Sequence, residues 1–406
     1  MRLNVNYGGR RVGQILEKEG VHFFQYDVRF ISDPLPLSPL ELPVTRAVTR
    51  HERRAFAGLP GLIFDSLPDG FGMSVIREHF RDKGAPPPSP LQILSYLGER
   101  TMGALTYSPP DGDAEQQKSI DLVNAALSAR KLVEMDHGSI LDPALVQAGG
   151  TAGGIQPKIL ASISADGEIV TGANDVPEGM SPWIIKLNTE GHRQSAYAPL
   201  EFAYFQMARD CGIHVPETAL LTDSNGVKHF AIKRFDRDTE DPNLRIHTHS
   251  YAGIAGVDYQ SLSGSYDHLL QTTYELTRSY KELKEQVLRA VFNVISHNHD
   301  DHAKNFAFQM DAIGVWRLAP AYDLSMSVNQ TRGNWLSLNG SRMATAKDFH
   351  AVVERYRIAQ RFVDDSIARV QEVVKRWPEY AKTAGVSVAL TEEVERQLVP
   401  VIRRFA

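Results

Sequence analysis

Asn298-His299-Asp300-Asp301-His302-Ala303-Lys304-Asn305-Phe306 is the stretch on which the reading of this chain turns, together with Tyr322-Asp323, which ends 18 residues past Asn305. Four residues separate Asp300 from Asn305. An acid, an amide and a second acid in that order suit phosphoryl transfer to a hydroxyl. A polyphosphate carries too much negative charge to be approached by a nucleophile unless magnesium neutralises it, and magnesium prefers hard oxygen ligands. Asn305 and Asp323 offer those ligands. A further carboxylate, outside the metal shell, must orient the attacking hydroxyl and take its proton, and Asp300 is the candidate.

The same spacing is found between the proton-accepting Asp and the metal-binding Asn of a protein-kinase catalytic loop. Alone it is weak, because acids and amides crowd into loops for turn and capping reasons. His297, His299 and His302 support a competing reading, a zinc- or manganese-dependent phosphohydrolase or nuclease. Such an enzyme would draw further ligands from other helices, and residues 304–308 turn apolar as a strand does. The plain alternative for His297 and His299 is that they hydrogen-bond a tight loop.

Composition sets outer limits. At 406 residues, 42% of them hydrophobic and 23% charged, the chain can bury ample core and form two or three structural units. The longest apolar runs fall short of the roughly 20 residues of a membrane helix, and the alternating Met1–Asn6 reads as a strand rather than as a signal peptide, so a cytoplasmic protein is expected. Cys211 is the only cysteine, which excludes an intrachain disulfide or a cysteine metal site. A net charge of -5 argues against whole-surface attraction to nucleic acid.

Outward from the loop, Leu283, Val287, Leu288, Val291, Phe292 and Ile295 recur at helical spacing, so a helix should end at Ser296 and deliver the loop. Similar stripes predict helices through Phe362–Val374 and Val394–Phe405. Upstream, Gly8-Gly9 between strand-like runs reads as a hairpin, followed by a strand from Val21 to Val28. The stretch through Pro60–Phe80 reads as mostly helical. Turn formers at 109–118 suggest a surface linker.

Residues 149–158, Gly-Gly-Thr-Ala-Gly-Gly-Ile-Gln-Pro-Lys, form a phosphate-loop candidate, since glycines let main-chain amides approach phosphate oxygens; a mobile surface loop reads equally well. A hairpin from Lys158 to Thr171 should follow it. Lys186, in Trp183-Ile184-Ile185-Lys186-Leu187, either snorkels at a sheet edge or grips phosphates with the help of Glu201, which opens a helical run ending at Gly212. Strands Ala219–Thr222 and His229–Ile232 lead into Lys233-Arg234-Phe235-Asp236-Arg237, a polar segment that suits an adenine-contacting hinge.

Taken in order, Thr151–Lys158, Trp183–Leu187, Lys233–Arg237, His299–Phe306 and Ala321-Tyr322-Asp323 resemble the HipA family of bacterial toxin kinases. The likeness extends over essentially the whole chain, because Phe24-Gln25-Tyr26-Asp27 and Leu35-Pro36-Leu37-Ser38 resemble that family's N-terminal subdomain. It implies an α+β, two-lobed protein-kinase-like fold, with an extra N-terminal subdomain on a mixed α/β N-terminal lobe and a mostly helical C-terminal lobe. The expected division is 1–110, 111–237 and 238–406.

The resemblance further implies a serine/threonine-protein kinase using ATP and Mg2+. Its partners would be a cognate DNA-binding, HipB-like antitoxin, through which it meets DNA, and a protein substrate such as an aminoacyl-tRNA synthetase, whose inhibition arrests growth and favours persistence. Carried over to this chain, Asp300 is the proton acceptor, and Asn305 and Asp323 are the metal ligands. Gly153, Gly154, Ile155, Gln156, Pro157 and Lys158 cover the phosphates, Lys186 grips them and Glu201 supports it. Lys233, Arg234 and Phe235 line the adenine site, and His302, Lys304 and Tyr322 complete the ATP site. Thr151 would be the autophosphorylated hydroxyl that inactivates the kinase, although the family often has serine there and threonine is stiffer at χ1. Lys233 stands where some members have an acid. A catalytically silent DNA- or antitoxin-binding regulator would tolerate loss of Asp300, Asn305, Asp323 and Lys186, and all four are present.

Overall fold

Gly8 and Gly9 turn the first hairpin at φ +53° and +76°, backbone that a residue with a Cβ adopts reluctantly. They join β1 (Arg2–Tyr7) to β2 (Arg10–Lys18). With β3 (Val21–Tyr26), β4 (Thr49–His51) and β5 (Leu105–Ser108) these strands make an antiparallel sheet of order β4-β3-β2-β1-β5. The third strand stops short of Val28, where the sequence had suggested it would end. Asp27 accepts the Arg29 N–H at 2.8 Å and caps a helical turn, Val28–Ser32, instead. The structure is a computed structural model, and it describes all residues except 112–117, 135–144, 146–147, 149–153, 155, 172–174, 190–196, 328–332 and 406.

A second five-stranded sheet, of order β7-β6-β8-β10-β9, contains β6 (Lys158–Ser164), β7 (Ile169–Thr171), β8 (Met180–Lys186), β9 (Thr218–Thr222) and β10 (Lys228–Lys233). The hairpin expected from Lys158 to Thr171 is β6 and β7. Side chains alternate across a strand. Ile159, Ala161, Trp183, Ile185 and Ala231 therefore share one face, where they form a core with Phe71 and Val75 of the helix Gly70–Asp82 and Ala125 and Ala129 of the helix Leu122–Val133. Burial of such side chains stabilises by roughly 1.5–3 kcal/mol each for the larger ones. The opposite face carries Lys158, Lys186 and Phe230 in one cross-strand row.

Both sheets belong to a compact unit of Met1–Ser195, Ala219–His249 and Met310–Gly314, and a second unit comprises Ala196–Thr218, Ser250–Gln309 and Val315–Ala406. The second is mostly helical. Its central helix, Tyr280–Ile295, starts where the Ser279 hydroxyl accepts the Glu282 N–H at 3.3 Å, buries the predicted stripe from Leu283 to Ile295, and ends at Ser296 as expected. The Tyr204 hydroxyl holds that end by donating to the Ser296 carbonyl at 2.7 Å. Arg289, on the same helix, donates to the Ala319 carbonyl at 2.8 Å and so fixes the chain entering Tyr322-Asp323. No helix among the described residues is long and apolar enough to cross a membrane.

Candidate active site

The chain leaves the helix Tyr280–Ile295 through His297 at φ +60°, a left-handed turn that reverses its direction, and the Asn298 N–H returns to the Asn293 carbonyl at 2.9 Å. The loop that follows is tied by hydrogen bonds within it and to Ser327 and Tyr322. The His299 N–H donates to Ser327 Oγ at 3.0 Å, and the Asn305 N–H to the His302 carbonyl at 2.9 Å. His302 Nδ1 accepts the Lys304 N–H at 3.2 Å, so a neutral ring carries its hydrogen on Nε2, which lies 4.0 Å from Asp300 Oδ1. The Tyr322 hydroxyl donates to the Lys304 carbonyl. Lys304 Nζ lies 4.9 Å from the centroid of the Tyr259 ring.

Within this frame the side-chain amide of Asn305 donates to the Asp300 carbonyl at 2.7 Å. That bond occupies the nitrogen and presents Oδ1 as the oxygen a cation can take. Asn305, Asp323, Asn298 and Asp301 line one cavity. Asp323 adopts φ +55°, a strained conformation that a short polar residue tolerates and that functional sites retain. A carboxylate and an amide carbonyl at one cavity fit magnesium in donor type. The Asp300 carboxylate is 53% exposed, open to a group arriving from solvent. Its neighbour Asp301 is buried at 1%, and that burial pushes its carboxyl up to about 7 despite donors from Tyr266, Asn334 and Trp335.

In the other unit, Lys158 and Lys186 face each other across β6 and β8 and both are buried. Two ammonium groups opposite each other make this row of the sheet electropositive. Lys186 Nζ also lies 5.8 Å from the Phe230 ring centroid. Gly154, at φ +95°, lies so close to the Lys158 ammonium that a Cβ there would overlap it. Its N–H donates to Asp69 Oδ1 and its carbonyl accepts the Phe71 N–H at 2.9 Å, which docks Gly154 on the start of the helix Gly70–Asp82.

Arg234, expected beside adenine, has its guanidinium on Asp236 at 2.8–2.9 Å, and Arg237 adds a contact at 3.4 Å. Burial alone would raise the Asp236 carboxyl, but the two guanidinium groups and the Gly103 N–H hold it well below the usual carboxylate range. The Arg234 N–H donates to the Pro182 carbonyl at 2.9 Å. Lys233 and Phe235 are half-buried beside it.

Asp300, His302, Lys304, Asn305, Tyr322, Asp323 and the buried Glu201 belong to the helical unit, whereas Gly154, Gln156, Pro157, Lys158, Lys186 and Lys233–Phe235 belong to the two-sheet unit. Thr151, Gly153 and Ile155 lie outside the described residues. Of the histidines in the competing hydrolase reading, His297 and His299 stack ring on ring, 3.8 Å between centroids. Among the described residues, no group of three or more His, Cys, Asp and Glu is placed to hold a metal ion. Sequence reading missed the anchoring by Asp301, for which an Asp-Asp pair carries no local signal, and the link from Asp69 to Gly154, whose partners are 85 residues apart.

The HipA N-terminal domain family is matched over residues 3–108 and the HipA-like C-terminal domain family over residues 150–377. The chain belongs to the HipA family. Two curated relatives come from Sinorhizobium fredii: "Putative kinase Y4dM" is 26% identical, covering 100% of this chain and 98% of its own, and "Putative kinase Y4mE" is 27% identical, covering 80% and 77%. Among solved structures, HipA of Shewanella oneidensis MR-1, in a complex with HipB and operator DNA, superposes with a TM-score of 0.70 at 15% identity, covering 99% of this chain and 96% of that one. The fold expected from the sequence, an α+β, two-lobed kinase-like fold, is therefore the HipA fold.

Proposed function

We propose that this HipA-family chain is a serine/threonine-protein kinase that transfers the γ-phosphoryl group of ATP to a protein hydroxyl with the help of Mg2+. The observation that carries the reading is the Asn305 amide held on the Asp300 carbonyl at 2.7 Å, with Asp323 at the same cavity. Asn305 Oδ1 and the Asp323 carboxylate would hold magnesium, which neutralises phosphate charge when bound. Asp300 orients the acceptor hydroxyl and takes its proton, while His302 Nε2–H faces the Asp300 carboxylate. Lys158 and Lys186 bind the polyphosphate together with the main chain of residues 153–157, and Glu201 supports Lys186. His302, Lys304 and Tyr322 shape the loop, and Lys233–Phe235 border the base. The parts 1–110, 111–237 and 238–406 serve as N-terminal subdomain, nucleotide-binding part and catalytic lobe.

As in the toxin–antitoxin system of its structural relative, a HipB-like DNA-binding antitoxin is the partner in this reading. The substrate is a protein such as an aminoacyl-tRNA synthetase, and phosphorylation of Thr151 shuts the kinase off. The test is intact-mass spectrometry of wild type and Asp300→Asn after incubation with ATP and Mg2+, with peptide mapping of residues 149–158. One phosphate on Thr151 in the wild type alone is expected; ATP hydrolysed to free phosphate with no added mass would sink the reading in favour of a hydrolase.

A further inference from the structure

Asp301 stands next to the exposed Asp300, is almost fully buried, and has no role in the chemistry above. Its carboxylate accepts three hydrogen bonds. The Tyr266 hydroxyl at 2.5 Å and Asn334 Nδ2 at 2.9 Å donate to Oδ2, and the Trp335 N–H at 2.6 Å donates to Oδ1. Behind Tyr266, Asn293 Nδ2 donates to its hydroxyl at 3.1 Å, and Asn298 Nδ2 donates to Asn293 Oδ1 at 3.0 Å, so the network closes on the first residue of the catalytic loop.

On its other side, the network reaches along the chain that follows Asp323. Asn334 Nδ2 lies 3.3 Å from the Asn298 carbonyl, and the Trp335 N–H is 3.3 Å from the His299 carbonyl. The Arg342 guanidinium donates to the carbonyls of Asn334, Trp335 and Leu262. The Trp335 ring stands edge-on to His302, 6.3 Å between centroids. An apolar side chain could fill the Asp301 position without the cost of burying a charge, and buried ionic groups are weak evidence for stability as such. What a carboxylate with three placed donors supplies is orientation, since it satisfies all three in one arrangement.

We propose that Asp301 is a positioning residue of the phosphoryl-transfer site, fixing the loop of Asp300 and Asn305 against Asn334–Arg342 so that the base and the metal-binding amide keep their mutual geometry. The inference rests on the kinase reading for its reaction and on the hydrogen bonds alone for its mechanics.

The test uses the full chain as wild type, Asp301→Asn and the milder Asn334→Leu. In Asp301→Asn one acceptor becomes a donor that opposes those of Tyr266 and Asn334, while the volume is kept. Two readouts are taken: the rate of phosphate transfer from γ-labelled ATP to protein as a function of ATP concentration, and amide hydrogen exchange across the helical unit. For Asp301→Asn the maximal rate should fall about 10- to 100-fold, the loss expected of a reacting geometry shifted by an ångström or less, while the half-saturating ATP concentration shifts less than about threefold. Amides in 298–306 and 333–342 should exchange at least about tenfold faster, with the helix Gln360–Lys375 unchanged. Asn334→Leu should move both readouts the same way by less, and it decides the matter if Asp301→Asn does not fold.

Unchanged rate and exchange, or a loss confined to ATP half-saturation, would overturn the proposal. Inactivity of the wild type would overturn the kinase reading instead, and the local exchange pattern would still decide whether Asp301 couples the two segments.

Discussion

Asn305 donates its side-chain amide to the main-chain carbonyl of Asp300 at 2.7 Å, so the side chain of one is tied to the backbone of the other. Replacing Asn305 with aspartate removes that donor and sets a carboxylate against the carbonyl. Phosphate transfer should fall about 100-fold or more, as misplacement of a reacting group does. Asp300→Asn should fall by about 10²–10⁴-fold, the worth of a general base, with nucleotide affinity little changed. Calorimetry of ATP–Mg2+ binding beside a transfer assay separates the two; lost binding in Asp300→Asn would mean its role is misassigned.

Gly154 combines φ +95° with close approach to the Lys158 ammonium. In Gly154→Ala the flexible lysine end must move and the backbone is strained by about 1 kcal/mol. Half-saturating ATP should rise several-fold with only a small drop in melting temperature. A wild-type ATP dependence would remove Lys158 from the phosphate site.

Asp236 stands between two buried guanidinium groups, Arg234 and Arg237. Asp236→Asn leaves both without their counter-charge, and breaking a buried pair this way costs about 3–5 kcal/mol. Denaturant titration should show that loss; a change under about 1 kcal/mol would mean water reaches the cluster.

His247 is buried with its Nε2 on the Leu37 carbonyl at 2.8 Å, and burial, reinforced by nearby His249, lowers it to about 4. Its folded value lies below its ordinary one, so its contribution to stability is complete above about pH 6.5 and is lost as the pH falls through about 4. At about 1.4 kcal/mol per unit the loss is on the order of 3 kcal/mol. His247→Gln should flatten the decline of melting temperature across that window, and an unchanged slope would exclude this histidine.

Much was legible because it is local. The 3.6-residue stripe through Leu283–Ile295 needs only one apolar face to bury, and it predicted where the helix ends and the loop begins. The Gly8-Gly9 hairpin and the hairpin of β6 and β7 are read from equally local signals. The reading failed at Asp27, where a capping side chain stopped a strand whose hydrophobic pattern ran on.

By itself the sequence determined the helix that delivers the loop, the hairpins and the order of the candidate site residues, since each follows from the period of one segment or the spacing of a few neighbours. Only the tertiary structure decided that Asp300 faces solvent while Asp301 is buried, because the donors that select between the two adjacent acids come from Tyr266 and Asn334, 35 and 33 residues away. It likewise decided that Arg234 is engaged by Asp236 in a cluster that includes Gly103, which lies 133 residues before that aspartate. Such pairings have no periodicity to betray them: they exist because a buried charge must find its partners wherever the packed chain brings them.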